Sequence, residues 1–204
     1  MAKLTIIGRA LSTFVRTARM ACIEKGIDYD LQDVPLGSGE AARHHPFGKI
    51  PALRHGDFHL YETPAMVRYI DAAFDGPALT PADPRAAALM EQWISVNGSY
   101  LYPAVVGVIL PRFGFVESDE ASIAAAHERT RHCLGVLDRA LGQNDWLAGS
   151  ELSLADLFPA PVLFYFGMTP EGRGTLPEHV ALGRWYERIS GRESFRATVP
   201  ELPS

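Results

Sequence analysis

Hydrophobic and polar positions change their period once along the chain, and that change divides it. Residues 3–8, KLTIIG, read as a strand. Phe14 to Lys25 sets Phe14, Ala18, Ala21 and Cys22 on one helical face and closes at Gly26. Ile27-Asp28-Tyr29-Asp30-Leu31 alternates as a second strand. Gly37-Ser38-Gly39 breaks the pattern, and Glu40 to His45 supplies little more than one helical turn. Lys49-Ile50-Pro51-Ala52-Leu53 is a third strand with a proline at its start, and His55-Gly56-Asp57 turns it into Phe58-His59-Leu60-Tyr61. Thr63 then reads as an N-cap, with Pro64 at the first position of a helix running to Phe74. The order is β-α-β, a short helix, then β-β-α. A right-handed crossover makes the first two strands parallel, and the hairpin adds an antiparallel pair.

Asp75 to Asp83, DGPALTPAD, carries turn formers and no periodicity. Beyond it only helical spacing remains. Pro84 to about Phe113 reads as one long helix, with Gly98 and Pro103 as places for a bend. Asp119 to Leu141 is a second, and Asn144 to Gly149 a loop. Ser153-Leu154-Ala155-Asp156 is close to a capping box, with Leu152 and Leu157 at the staple positions, and it opens a further helix as a folding element. His179 to Gly191 closes the pattern, with Leu182, Trp185 and Ile189 on one face.

Composition narrows the class. At 204 residues the chain is long enough for one large domain or two small ones, and 47% hydrophobic with 21% charged residues is ordinary for a folded soluble protein. A formal charge of −5 leaves no footprint for nucleic acid or an anionic membrane. The opening stretch MAKLTIIGR is too short in apolar residues for a signal peptide. The run from Tyr100 to Leu110 is interrupted by Pro103 and is too short to span a bilayer. Cys22 and Cys133, without CxxC or Cys/His spacing, argue for a reducing compartment and against a metal site.

The candidate chemistry lies in Pro46 to Met66, PFGKIPALRHGDFHLYETPAM. Pro51 has no N–H and belongs at a strand start or bend, where a cis X–Pro bond is affordable. Such a bend leaves the N–H and C=O of Ile50 turned outward, free for a peptide-like ligand. Glu62 beside the hydroxyl and helix N-terminus at Thr63 can hold a group that carries both an ammonium and an anion. Ser12 sits at the turn between the first strand and first helix as an N-cap.

PFGKIPAL followed by HGDFHLYET resembles the glutathione-binding half of the cytosolic glutathione transferases, nearest in wording to the serine-type, phi-like classes, and the resemblance covers nearly the whole chain. It implies a thioredoxin-like α/β domain over residues 1–75, a linker at 76–83 and an all-helical domain over 84–204. It further implies a cytosolic homodimer that conjugates glutathione, as co-substrate, to small hydrophobic electrophiles. Ser12 matches the catalytic serine, with Thr13 as the alternative. No cysteine or tyrosine stands in that loop. Glu62 and Thr63 match the Glu-Ser pair that grips the γ-glutamyl end, with threonine for serine. Ile50, ahead of Pro51, would pair with the cysteinyl residue, and Lys49 would reach the glycyl carboxylate.

His45 stands where the family usually has Asn, and GEAARHHPFG is several residues short. Arg43, His44 or His45 is therefore the candidate to replace the missing basic contacts at the glycyl end. Leu11, Tyr102, Arg112, Phe113 and Phe115 are the candidates for the electrophile. The alternatives are glutathione peroxidase or isomerase activity at the same site, or a binding or scaffold protein of the same fold without thiolate activation.

Overall fold

The computed structural model describes residues 3–201. They form two compact units, one reaching to Thr80 and taking back the segment from Arg192 onward, the other Pro81–Gly191. The first unit holds β1 (Leu4–Ile7), α1 (Thr13–Glu24), β2 (Tyr29–Gln32), α2 (Gly39–His44), β3 (Ala52–His55), β4 (Phe58–Tyr61) and α3 (Thr63–Ala73). Its sheet runs β2-β1-β3-β4. β1 is parallel to β2 and antiparallel to β3, and β3 pairs antiparallel with β4 across the tight turn. Every residue of β1 is buried, which is why Leu4, Ile6 and Ile7 are joined only by the small polar Thr5 rather than by a solvent-facing polar set. α1 and α3 pack on each other and bury Met20, Met66, Val67 and Ile70.

Two local readings change. β3 begins at Ala52, after the cis Ile50–Pro51 bond, because Pro51 has no N–H to give a ladder. Glu62, not Thr63, occupies the N-cap position of α3, with φ 70° and no side-chain cap bond. The left-handed backbone at Glu62 reverses the chain between β4 and α3 in one residue, so Thr63 is already the first helical residue.

The boundaries of the units also differ from 1–75, 76–83 and 84–204; positions 1, 2 and 202–204 of those ranges lie outside the described residues. Leu79 is buried and its N–H donates to Asp71 Oδ1 at 2.9 Å, so 75–80 is fastened to the first unit rather than loose. Asp71 also meets the Lys25 ammonium at 3.2 Å, with side chains 7% and 3% exposed respectively. The final helix α10 (Glu193–Arg196) returns to α1: the Arg192 guanidinium reaches both oxygens of Glu24 at 2.7 and 2.6 Å, and the Arg16 guanidinium lies 4.9 Å from the Phe195 ring centre. Ser194 donates to the same Glu24.

The second unit is helical, and among its described residues the strand-like pairing is one isolated bridge, Trp146 with Gly149. α4 (Pro84–Val96) and α5 (Tyr102–Arg112) are joined without interruption by a π-helical segment, Asn97–Leu101, where a bend was expected. This 29-residue stretch is long and apolar enough to cross a membrane by length and composition, but Met90, Trp93, Ile94, Leu101, Val105 and Val108 are buried within the unit, as in a core helix. α6 (Glu120–Leu141) crosses it so closely that a Cβ on Gly107 would stand 2.8 Å from the Ala126 Cβ. A single 3₁₀ turn, Leu154–Leu157, then leads into α7 (Pro159–Phe166), α8 (Pro170–Thr175) and α9 (Val180–Ser190). The capping box forms around that turn. Asp156, fully buried, accepts from Ser153 N–H and hydroxyl at 3.0 Å, and from Leu147 N–H and the Trp185 indole at 2.9 Å.

Candidate active site

Register gathers the candidate residues at one end of the sheet. Ala52 lies opposite Ile7 on one side and Tyr61 on the other. The residues just beyond these three, namely Gly8, Ile50-Pro51 and Glu62, therefore share an edge with the N-termini of α1 and α3. Gly8 has φ 147°, and a Cβ there would come within 2.7 Å of Val15 and 3.0 Å of Ile50. Only glycine lets the loop after β1 close on Ile50.

In that loop Ser12 N–H donates to the Arg9 carbonyl at 3.0 Å, and Ser12 Oγ accepts from Val15 N–H at 3.4 Å as the N-cap of α1. A hydroxyl that accepts still has its own O–H to give. Ser12 is half-buried at the positive end of a 12-residue helix, a favourable place for an anion. Thr13 is buried as the first helical residue, and its carbonyl accepts from Thr17.

Ile50 packs its side chain on Ile7, Val34, Ala41 and Ala52, and no backbone hydrogen bond joins it to the described residues. Lys49 is exposed. Thr63 is buried, and Met66 N–H is the first in α3 to bond back, to the Glu62 carbonyl at 3.0 Å. The N–H groups of Thr63 and Ala65 consequently have no intrahelical partner, and Pro64 has none to lose.

The structure separates the basic trio before β3. Arg43 is exposed, and His44 stacks on His59 with ring centres 6.4 Å apart. His45 is buried against Tyr61, ring centres 4.8 Å apart. Sequence reasoning missed both this burial and the closeness of Gly8 to Ile50. The signal for the second was Gly8 directly after an apolar strand.

Of the electrophile candidates, Leu11 is half-buried in the first unit. In the second, Tyr102 opens α5, Phe113 packs edge-on to Tyr165 with ring centres 6.2 Å apart, and Phe115 is exposed. Arg112 is held on both sides: Nη1 and Nη2 donate to Glu120 at 2.8 Å, and Nε and Nη2 donate to Glu171 at 2.9 and 2.5 Å. Its guanidinium holds both carboxyls below the usual carboxylate range. A cleft of about 410 Å³ in the second unit, between Tyr100 and Pro103 on one side and Glu128, Arg129, His132 and Cys133 of α6 on the other, includes none of these candidates. Burial pushes the Cys22 thiol up to about 12 and that of Cys133 upward, so neither is poised as a thiolate. Among the described residues no group of three or more His, Cys, Asp or Glu could hold a metal ion.

Residues 6–78 match the glutathione S-transferase N-terminal domain, and residues 99–193 match its C-terminal domain. Glutathione S-transferase 3 of Zea mays is 32% identical over 214 aligned positions, which cover 100% of this chain and 96% of that protein. The chain belongs to the glutathione S-transferase family. Among solved structures of the family, poplar glutathione transferase F1 superposes with a TM-score of 0.88 at 28% identity, over 97% of each chain. A Methylobacillus flagellatus glutathione S-transferase solved with GSH bound gives 0.86 at 26% identity, over 98% of this chain and 100% of its own.

Proposed function

We propose that this glutathione S-transferase, with glutathione as its co-substrate, binds the tripeptide along the Gly8, Ile50 and Glu62 edge and activates its thiol with Ser12. The observation that carries the reading is the double capacity of Ser12. Its oxygen caps α1 by accepting from Val15 N–H, which leaves the O–H to donate to sulfur at the helix's positive end. A free thiol of this kind ionises at about 8.5, and a donor with a helix N-terminus lowers that value. The unbonded N–H and C=O of Ile50, presented by Pro51, pair with the cysteinyl residue. Lys49 meets the glycyl carboxylate. Glu62 takes the γ-glutamyl ammonium, while the Thr63 hydroxyl and N–H take the neighbouring carboxylate.

The thiolate then attacks a small hydrophobic electrophile by substitution or conjugate addition. Leu11, Tyr102, Phe113 and Phe115 are the proposed electrophile contacts. Arg112 contributes by fastening the end of α5. The protein works as a cytosolic homodimer in this reading; exposed Phe47, Phe58 and Tyr61 on the first unit and Leu89 and Tyr100 on the second supply apolar surface for a partner copy. A monomer mass by light scattering at micromolar concentration would remove the dimer.

Near-ultraviolet titration of the glutathione complex tests the mechanism. Bound thiol should ionise at lower pH than free thiol, and Ser12→Ala should raise the bound value and cut turnover while glutathione affinity stays. Loss of turnover in Thr13→Ala but not in Ser12→Ala would move the role by one residue. Retention on glutathione resin without turnover of any electrophile would leave a binding or scaffold protein.

A further inference from the structure

His45 carries a second observation at the γ-glutamyl end. It follows α2 as its C-cap, and its own N–H donates to the Ala41 carbonyl at 2.9 Å. The ring is 4% exposed, wedged against Tyr61 and edge-on to Phe47, ring centres 6.0 Å apart. Phe47 N–H donates to Nδ1 at 3.3 Å. An imidazole nitrogen that accepts carries no proton, so the neutral ring bears its N–H on Nε2. That nitrogen faces Glu62 Oε1 at 3.6 Å.

Glu62 needs such a neighbour. Its side chain is 63% exposed, and its φ of 70° aims it from a one-residue reversal rather than from a strand or helix. A flexible, solvated carboxylate loses rotamer freedom when it grips an ammonium. A fixed donor behind it would bear part of that cost in advance.

We propose that His45 is a positioning residue for Glu62: its Nε2–H holds one carboxylate oxygen so that the other meets the α-ammonium of glutathione. The proposal rests on the glutathione reading above. At 3.6 Å the contact is longer than a hydrogen bond, and it shortens when the ammonium draws the carboxylate into place. Tyr61 and Phe47 keep the ring from following Glu62 outward. His45 therefore serves the γ-glutamyl end rather than the glycyl end.

The test is a calorimetric binding comparison of glutathione with glutaryl-cysteinyl-glycine, the same peptide without its α-amino group. His45→Leu should weaken glutathione about tenfold and leave the glutaryl peptide unchanged. In a Glu62→Ala background the same substitution should have no further effect on glutathione. Equal losses for both peptides, no loss for either, or a full tenfold loss without Glu62 would each overturn the pairing. Failure of the unaltered protein to bind glutathione would instead overturn the glutathione reading, and this proposal with it. Should His45→Leu not fold, nitrogen-15 histidine spectra of the unaltered protein decide. The Nε2–H tautomer with a proton shifted by glutathione, but not by the glutaryl peptide, is expected; the Nδ1–H tautomer, or no shift, would overturn it.

Discussion

Gly8 and Ile50 touch where a side chain on the first would have to stand: a Cβ at Gly8 would lie 3.0 Å from the Cβ of Ile50. This contact sets the distance between the loop that carries Ser12 and the backbone edge proposed for the cysteinyl residue. Gly8→Ala should therefore destabilise the protein by roughly 1–3 kcal/mol through overpacking, with the positive φ adding to it. The KM for glutathione should rise as Ile50 is pushed outward. Thermal unfolding and steady-state kinetics read both, and an unchanged KM would uncouple the contact from the site.

Lys25 and Asp71 form a buried pair in the first unit. Removing one partner of such a pair leaves an uncompensated charge, so Lys25→Met should cost roughly 3–5 kcal/mol. The pair also has a pH signature. Burial pushes the Asp71 carboxyl up, but bonds from Thr80, from Leu79 N–H and from Lys25 outweigh it and hold the carboxyl below its ordinary value. A depressed carboxyl stabilises the fold above the unfolded value of about 3.9, and that contribution is lost as pH falls through the lower folded value. Lys25→Met should therefore move the acid-unfolding midpoint, followed by circular dichroism, to higher pH.

Arg112 offers a contrast between fastening and binding. With Glu120 and Glu171 both drawn to it, Arg112→Ala should lower the unfolding temperature and remove part of the acid sensitivity those carboxyls confer. Glutathione affinity should stay within about twofold, because the carboxylate partners and not the ligand occupy the guanidinium. A large loss of glutathione affinity in a folded variant would contradict this.

Asp156→Asn should be costly although it keeps the shape. Oδ1 accepts from Leu147 N–H and the Trp185 indole, and Oδ2 from Ser153 N–H and hydroxyl. An amide in either orientation points its NH₂ at a backbone donor, and leaving that buried donor unsatisfied costs roughly 1–3 kcal/mol. Chemical denaturation measures it, and a loss below a few tenths would show that the box can rearrange.

What could be read without coordinates was local. Ser12 and the Ser153–Asp156 tetrad announce themselves because a cap and its helix are a few residues apart. The strands and their hairpin were legible for the same reason, from short apolar or alternating runs and a glycine turn. The π-helical passage at Asn97–Leu101 was visible only as a weak point, since Gly98 and Pro103 permit several ways of disturbing a helix. Illegible features were those that join distant positions. Nothing near Glu24 foretells Arg192, and nothing in HHPFG says that His45 turns inward while His44 stays at the surface. The first residue of α3 was misplaced because the left-handed turn at Glu62 has no sequence signature in a non-glycine residue.

The π-helical passage has a bearing on how the chain tolerates insertions and deletions. A π turn holds one residue more than the α turn it replaces, so it resembles a lengthened helix whose surplus was absorbed in place. Each residue of a regular α-helix advances the side chains by about 100°, so a deletion within α4 or α5 would rotate every later position by that angle. Removing one residue from Asn97–Leu101 would instead turn the wide π turn back into an α turn and leave α5 in its present rotation. Val105 and Val108 would stay inward, and the Gly107 notch would still admit Ala126. The segment acts as a length buffer between α4 and α5: here, unlike within either helix, the chain can lose one residue without turning α5.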